Sequence, residues 1–303
     1  MTKKLPEMKK AVHKKISPVT VSNALFSAMK ILKKKKLPSV SLDAEVLLAY
    51  VLKKDRMFIL AHPEYLLKTS EIRGYNLYIR NRLRHMPVAY ITGQRDFYGN
   101  SFFINKNVLI PRPETELLIE EVILYFRQHP EKKSLLDVGT GSGCIALSLT
   151  QQIPSLQKIV ATDISQEALS VAKKNARALK LESRVTFKKT NLLNTLKESF
   201  DCIMANLPYL SEKEYVRAKK ICPEIKYEPK SAICAGKTGL ELFELFFQKV
   251  SRHLNIGGII FLEIGSVQQE GIQKLVKKYL PKSQVRFVRD LSKRIRVAVV
   301  ESL

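Results

Sequence analysis

The sequence predicts an α/β protein: a mainly parallel sheet with helices on both faces, preceded by a helical bundle and a β-hairpin linker. Three observations carry this. From residue 21 to about residue 83, apolar residues recur at helical spacing. Between residues 96 and 110 the segments look extended, around a Gly99-Asn100 turn signal. From residue 135 onward, short apolar runs alternate with segments of helical period.

The bundle comes first. Val21–Leu32 sets Leu25, Met29 and Leu32 at helical spacing, with Val21 and Phe26 nearby. Ser41 is placed to cap a second helix, with Ala44, Val46, Leu47 and Tyr50 on its apolar side. Ser70 is placed to cap a third that contains Leu77, Tyr78, Ile79 and Leu83. Pro-containing links, Leu37–Val40 and His62–Glu64, separate them. The bundle is expected over residues 17–94 and the hairpin linker over 95–110, from Asp96–Ile104 and Val108–Ile110. Pro111-Arg112-Pro113 then forbids helix until Glu114.

The sheet domain is expected over 111–303. Leu135–Val138 is a short apolar run ending at a Gly-rich loop, and Cys144–Gln151 follows with helical character. Ile159–Thr162 is the next strand, then Ser165 caps a helix carrying Ala168, Leu169, Val171 and Ala172. Val185–Phe187, Asp201–Ala205 and Ile259–Ile264 supply further strands. Val285–Val288 and Ile295–Val300 are joined by a short basic turn, too short for a helical crossover, so one of them runs antiparallel.

Composition excludes several classes. The 303 residues are 45% hydrophobic with only 12 Gly and 13 Pro, which rules out a disordered or collagen-like chain. No apolar run approaches the roughly 20 residues that cross a bilayer, and the N-terminal lysines precede no apolar signal segment. The cysteines, Cys144, Cys202, Cys222 and Cys234, form no C-x-x-C pair. The five histidines are scattered, so neither a disulfide scaffold nor a metal site is expected, and a reducing cytoplasm is the simplest setting.

Charge is lopsided. Lys and Arg number 52 against 28 Asp and Glu, a net +24. The first 40 residues hold 11 basic groups and one acid, Glu7. Residues 1–16 read as a flexible basic arm and Lys33–Lys36 as a further run. Taken alone, the surplus points toward nucleic acid or an RNA-rich partner.

Chemistry concentrates at three places. Asp137-Val-Gly139-Thr140-Gly141-Ser142-Gly143 lies between a strand and a helix, where glycines let the backbone turn sharply and approach a ligand. The spacing is G-x-G-x-G rather than the G-x-G-x-x-G of dinucleotide binders. Twenty residues beyond Gly143, Asp163 ends the next strand, and a carboxylate there can accept both hydroxyls of a ribose. Second, Asn206-Leu207-Pro208-Tyr209 leaves the strand Asp201–Ala205 and faces the Gly-rich loop in a doubly wound sheet. The Asn206 oxygen and the Leu207 carbonyl can accept the two N–H groups of a planar amide or amine, beside the flat face of Tyr209. Third, Leu109–Glu116 is stiffened by two prolines and alternates in charge. Residue types alone leave open a rigid linker in which Arg112 and Glu114 pair with each other.

These residues resemble those of a known family. The glycine loop with Asp163 resembles class I S-adenosylmethionine-dependent methyltransferases. Asn206-Leu-Pro-Tyr209 resembles the (N/D)-P-P-Y motif of enzymes that methylate planar nitrogens. Pro87-Val-Ala-Tyr-Ile-Thr-Gly93, Asp96-Phe-Tyr-Gly99, Leu109–Glu116 and Tyr227-Glu-Pro229 with Ala232 resemble one branch, the release factor glutamine methyltransferases (PrmC/HemK). The resemblance implies a five-helix N-terminal domain, a hairpin linker and a seven-stranded Rossmann-like sheet. It implies methyl transfer from S-adenosyl-L-methionine to the side-chain nitrogen of the glutamine in the Gly-Gly-Gln motif of class 1 peptide chain release factors.

Carried over by position, Gly139, Thr140, Gly141, Ser142 and Gly143 line the cofactor and Asp163 holds its ribose. Asn191 and Leu192 lie near the adenine and Asn206 borders the cofactor. Asn206, Leu207, Pro208 and Tyr209 hold the glutamine amide. Two positions depart from the family: Leu207 stands where its first proline is usual, and Asn191 where an acid is common. The competing readings are a nucleic-acid adenine-N6 or cytosine-N4 methyltransferase, and an RNA-associated binding protein without turnover. The basic arm is expected to add weak, salt-sensitive contact with RNA or an acidic surface. No membrane partner is expected.

Overall fold

A computed structural model of the chain describes residues 18–35 and 37–302. The expected arm at 1–16 lies outside the described residues, as does Lys36. The chain divides into two compact units after Val88.

In the first unit, α1 (Val21–Lys33), α2 (Val40–Leu52), α3 (Arg56–Ala61) and α4 (Thr69–Leu83) bury Val21, Ala24, Ala28, Leu32, Ala44, Leu47, Leu48, Ile59, Tyr75 and Ile79. The helical pattern is correct, but the faces differ from expectation. Phe26, Tyr50 and Leu77 are exposed, and small Ala24 and Ala28 turn inward instead. The caps shift too. Ser39, not Ser41, precedes α2, and its hydroxyl donates to Asp43 at 2.8 Å. Lys68, not Ser70, precedes α4; its N–H is taken by the Glu71 carboxylate at 2.7 Å, which satisfies one otherwise orphaned donor. Arg82 and Asp43 pair at 2.6 Å with both side chains buried. That ionic contact within the apolar bundle ties α4 to α2.

The second unit begins with the rest of α5 (Val88–Thr92). The hairpin follows, with β1 (Gln94–Phe97) paired antiparallel to β2 (Asn100–Phe103). Its two turn residues are Tyr98 and Gly99, both at positive φ (45° and 74°), the backbone twist a two-residue hairpin requires. The turn therefore lies one residue before the expected Gly99-Asn100. Val108–Ile110, expected to be extended and part of the hairpin, forms no strand; it runs irregularly along a cavity described below. A 3-10 turn at Pro113–Thr115 leads into α6 (Glu116–Gln128).

The sheet elements follow in order: β3 (Ser134–Val138), α7 (Cys144–Gln152), β4 (Lys158–Asp163), α8 (Gln166–Ala178), β5 (Thr186–Lys189) and β6 (Phe200–Ala205). Then come the short β7 (Leu210–Ser211), α9 (Glu212–Ile221), β8 (Cys234–Gly236), α10 (Glu241–Val250), β9 (Leu254–Glu263), α11 (Gln269–Tyr279), β10 (Gln284–Arg289) and β11 (Ile295–Glu301). Seven strands form one sheet in the order β10-β11-β9-β6-β3-β4-β5. β11 is the reversed strand, antiparallel to both β9 and β10. Alternate residues divide between two cores. Leu135, Cys202, Met204, Phe261 and Val297 pack under α6–α8, and Leu136, Ile203, Ile260, Leu262 and Ala298 under α10 and α11. No helix among the described residues is long and apolar enough to cross a membrane.

Strand order positions the site. The chain moves outward from β3 through β4 to β5, then returns to place β6 on the other side of β3, with Val138 level with Ala205. Neighbouring strands whose crossovers leave in opposite directions open a crevice at their C-terminal ends. The Gly-rich loop and Asn206 leave the sheet there.

Candidate active site

The loop after β3 holds Gly139, Gly141 and Gly143 at φ 78°, 55° and 80°, a region that costs any other residue about 1–2 kcal/mol. The glycines serve different ends. A Cβ on Gly143 would lie 3.1 Å from Ala172 Cβ, so this glycine lets α7 and α8 approach. A Cβ on Gly141 would meet nothing within 4 Å, and its N–H donates to Asp163 Oδ2 at 2.9 Å. Asn175, fully buried on α8, donates to the Ser142 carbonyl at 2.8 Å and to the Phe103 carbonyl at 3.0 Å, and accepts the Phe103 N–H at 2.7 Å. One amide thus ties the loop to the hairpin.

Two carboxyl groups support the loop. Asp137 is fully buried, which pushes its carboxyl up to about 7 against the 2.6 Å hydrogen bond it accepts from Thr140 Oγ1. Among the described residues its Oδ1 makes no close hydrogen bond. Asp163 is likewise raised by burial, although Ser165 N–H and Gly141 N–H each donate to it at 2.9 Å. A carboxylate offers about four acceptor positions. Ser165 and Gly141 each take one of them, and the Ile164 N–H also bears on the group.

These residues open onto a cavity of about 530 Å³, a size usual for a small-molecule site. Of the predicted site residues, Gly139, Thr140, Gly141, Ser142, Asp163, Asn191, Leu192, Asn206, Leu207 and Pro208 line it; Gly143 and Tyr209 do not. Tyr209 sits against the core under α10, and burial pushes its hydroxyl up to about 12. Its carbonyl accepts from Gln268 Nε2 at 2.9 Å. Asn206 makes both of its side-chain hydrogen bonds through Nδ2, to Glu263 Oε2 at 2.8 Å and to Thr115 Oγ1 at 3.3 Å.

The Leu109–Glu116 segment forms another wall. Arg112 and Glu114 do not pair with each other. Arg112 reaches Glu228 at 2.5 Å, and the buried Glu228 also accepts the Ile110 N–H at 3.1 Å. Glu114 approaches Arg296 instead, at 3.6 Å. Pro229, Ser231 and Ala232 continue the wall beyond Glu228.

Comparison with known proteins matches this arrangement to one group. The PrmC N-terminal domain model matches residues 23–93, and the methyltransferase small domain model matches 113–224. A release factor glutamine methyltransferase of Koribacter versatilis is 37% identical over 284 residues, covering 93% of this chain and 98% of the relative. The chain belongs to the release factor glutamine methyltransferase family. A member from Clostridium acetobutylicum is 36% identical over 85% of this chain and 90% of its own length. Among solved structures, the hMettl16 catalytic domain in complex with a 3′UTR hairpin aligns with TM-score 0.54 at 19% identity, over 71% of this chain and 80% of that one. At that identity the likeness is one of fold.

For a release factor glutamine methyltransferase, the site fits an adenosine-type sulfonium cofactor. Gly139 and Gly141 bring backbone to the cavity without side chains, the Asp163 carboxyl lines it, and Asn191 and Leu192 follow β5 into the same cavity. Sequence reading missed Thr115, Glu228 and Glu263 as working parts. Glu263 carried a usable signal: it is the acid that ends an apolar strand, and β9 lies beside β6 in the sheet. Glu228 lay inside the Tyr227-Glu-Pro229 resemblance, but nothing local gave its role, since its partners Ile110 and Arg112 are more than a hundred residues away.

Proposed function

We propose that the chain methylates the side-chain amide nitrogen (N5) of the glutamine in the Gly-Gly-Gln motif of class 1 peptide chain release factors, using S-adenosyl-L-methionine. The observation that carries this is Asn206: its NH2 is held inside by Glu263 and Thr115, so its oxygen is the group left for a ligand in the cavity. An acceptor at this position suits a donor substrate, and a primary amide offers two N–H groups.

S-adenosyl-L-methionine supplies an electrophilic methyl group when bound. When it is bound, Gly139, Thr140, Gly141 and Ser142 would give it backbone to lie against, Asp163 would accept ribose hydroxyls, and Asn191 and Leu192 would border its base. An amide nitrogen is a poor nucleophile because its lone pair is delocalised. The residues therefore act mainly by position: Asn206 Oδ1 and the Leu207 carbonyl take one N–H each and hold the nitrogen in line. The same two acceptors favour positive charge as it grows on nitrogen. Pro208 fixes the backbone of the second acceptor. The proton leaves to water after transfer, so no strong base is required.

The test offers a release factor and nucleic acid together to the enzyme, with mass spectrometry of both. The glutamine should gain one methyl group and the nucleic acid none. Asn206→Ala should nearly abolish transfer while calorimetry finds cofactor binding largely intact; full methylation by this variant would sink the assignment.

We also propose a cytoplasmic setting and a supporting role for the basic residues before Ser17. They would add salt-sensitive affinity for RNA or an acidic partner surface and carry no chemistry. Deleting Met1–Ile16 should leave activity on release factor close to intact at moderate salt, and a complete loss in a folded truncation would overturn this.

A further inference from the structure

An asparagine side chain is nearly symmetric in shape, so its neighbours decide which end faces a ligand. Around Asn206 the neighbours are one-sided. A Glu263 carboxylate oxygen can only accept. Thr115 Oγ1 gives its proton to that same oxygen, at 2.6 Å, and so presents a lone pair to Asn206. Both inner partners are acceptors, and only the NH2 end satisfies them. A turned amide would set its oxygen 2.8 Å from a carboxylate oxygen with no proton between them.

Glu263 is poorly explained by stability alone. It ends β9 with 3% exposure and does not line the cavity. The nearest guanidinium, on Arg296 of β11, bonds Asp290 at 2.8 Å and approaches Glu114 at 3.6 Å; among the described residues no ion pair to Glu263 forms. A buried carboxylate without a paired cation is costly. The bonds it does make lead to a cavity-lining threonine and to Asn206.

We propose that Glu263 is a positioning residue which, with Thr115, locks the Asn206 oxygen toward the cavity and thereby makes the site accept a primary amide or amine and reject a carboxylate. The inference rests on the functional reading above and adds the origin of its selectivity: glutamine is taken and glutamate at the same place is repelled, because the two groups that would meet it, the Asn206 oxygen and the Leu207 carbonyl, both accept.

The groups facing Glu263 are Asn206 on the β6 exit, Thr115 and Glu114 in the 3-10 turn, Arg296 on β11, the Tyr209 hydroxyl and the Cys144 thiol. Burial pushes the Glu263 carboxyl up to about 7, and Glu114 adds to this, while Thr115, Arg296 and Asn206 oppose it. Once protonated it can donate, and the one-sided environment of Asn206 is lost. The wild-type rate should therefore fall as pH drops through about 7.

The experiment compares wild type, Glu263→Gln, Glu263→Met and Thr115→Val on release factor. Glu263→Gln sets an NH2 beside the remaining acceptor oxygen, as the protonated acid sets an O–H there. Its kcat should therefore stay near the wild type's low-pH level at every pH, with no acid limb near pH 7. Glu263→Met should lose at least 100-fold in kcat with cofactor Kd within threefold. Binding of a release factor carrying glutamate in place of the glutamine, measured by calorimetry at pH 8, should be at least tenfold weaker than that of the glutamine form for wild type. The gap should close to within threefold in Glu263→Met. Should Glu263→Met not fold, Thr115→Val and Glu263→Gln carry the comparison. Retention of kcat within threefold in Glu263→Met, an unchanged acid limb in Glu263→Gln, or an unchanged glutamine–glutamate gap would each overturn the proposal. A readout independent of turnover separates this inference from the functional reading: the Asn206 side-chain amide protons should exchange slowly in wild type and at least tenfold faster in Glu263→Met or Thr115→Val. Equal exchange would overturn the positioning role even if the enzyme methylates release factor, and slow wild-type exchange would support it even if release factor is not the substrate.

Discussion

A side chain at position 139 would have to share its space with Leu207: a Cβ built on Gly139 lies 3.3 Å from Leu207 Cδ2. The relationship links the cofactor loop to the substrate tetrapeptide across the β3–β6 crevice. It also accounts for Leu207, which stands where the family usually has proline. The leucine is 3% exposed and packs with the core under α10, so its side chain fixes the turn by burial where a ring would fix it by geometry. Gly139→Ala combines positive φ with this close approach and should cost about 1–2 kcal/mol, weakening cofactor binding at least tenfold. Leu207→Ala should cost about 2–5 kcal/mol of stability. In a double-mutant cycle the two should be less than additive, because the shorter side chain makes room for the new methyl group. Chemical denaturation and calorimetry read both terms.

The Glu228 carboxylate joins two walls of the cavity. Removing it leaves the Ile110 N–H buried without its acceptor and Arg112 without its partner. Glu228→Ala should therefore lower stability by about 2–3 kcal/mol and raise KM for release factor more than it alters cofactor Kd. Arg112→Ala should cost less, since 39% of that side chain is already in water. Equal effects on substrate and cofactor in Glu228→Ala would assign it to general stability rather than to the wall.

Asn175 gives a test of the connection between hairpin and loop. Asn175→Ala removes three hydrogen bonds at a fully buried position and leaves the Ser142 carbonyl without that donor. A loss of about 2–4 kcal/mol is expected, together with weaker cofactor binding. Asn175→Asp keeps the acceptor for the Phe103 N–H but turns a carboxylate on two carbonyls, and should be no better than alanine at pH 7.

Asp201, at the opposite end of the sheet, supplies a pH signature. Burial raises its carboxyl. The hydrogen bonds from Asn255, the Ser134 hydroxyl and the Lys133 and Ser134 N–H groups outweigh this and hold it at about 2, below the ordinary 3.8. A group depressed on folding stabilises the protein above its unfolded value and loses that contribution as pH falls through the folded one. Asp201→Asn should thus be destabilising at pH 5, and the difference from wild type should shrink by pH 2.5. Urea denaturation at the two pH values checks this, and a constant gap would contradict it.

Much of the fold could be read locally. Ser165 caps α8 and accepts the Ala168 N–H at 3.1 Å, as its position ahead of an apolar helical face predicts. The G-x-G-x-G loop and Asn206 meet because strand order follows from alternating strands and helices. The bundle faces were harder. Val21, Leu32, Ala44, Leu47 and Ile79 are buried as expected, but Phe26, Tyr50 and Leu77 stay in water while Ala24, Ala28 and the Asp43–Arg82 pair turn inward, so hydrophobicity alone places only part of each face. Val108–Ile110 illustrates a different limit. Its β-branched and aliphatic residues suit a strand, yet its backbone groups are claimed from a distance: Glu228 takes the Ile110 N–H and Tyr90 donates to the Val108 carbonyl at 2.6 Å. One partner is 18 residues away and the other 118, and neither leaves a trace in the segment's own residues.

The reversed strand has a consequence for how the protein is made. β11 lies between β9 and β10, so residues 295–301 separate two strands that precede them in the chain. Until those seven residues emerge from the ribosomal tunnel, β10 has no neighbour to bond and β9 presents an open edge beside Ile260 and Leu262. The nascent crevice, Asn206 and the glycine loop included, would then stand next to an unfinished sheet, and the wait ends only once the seventh strand is clear of the tunnel.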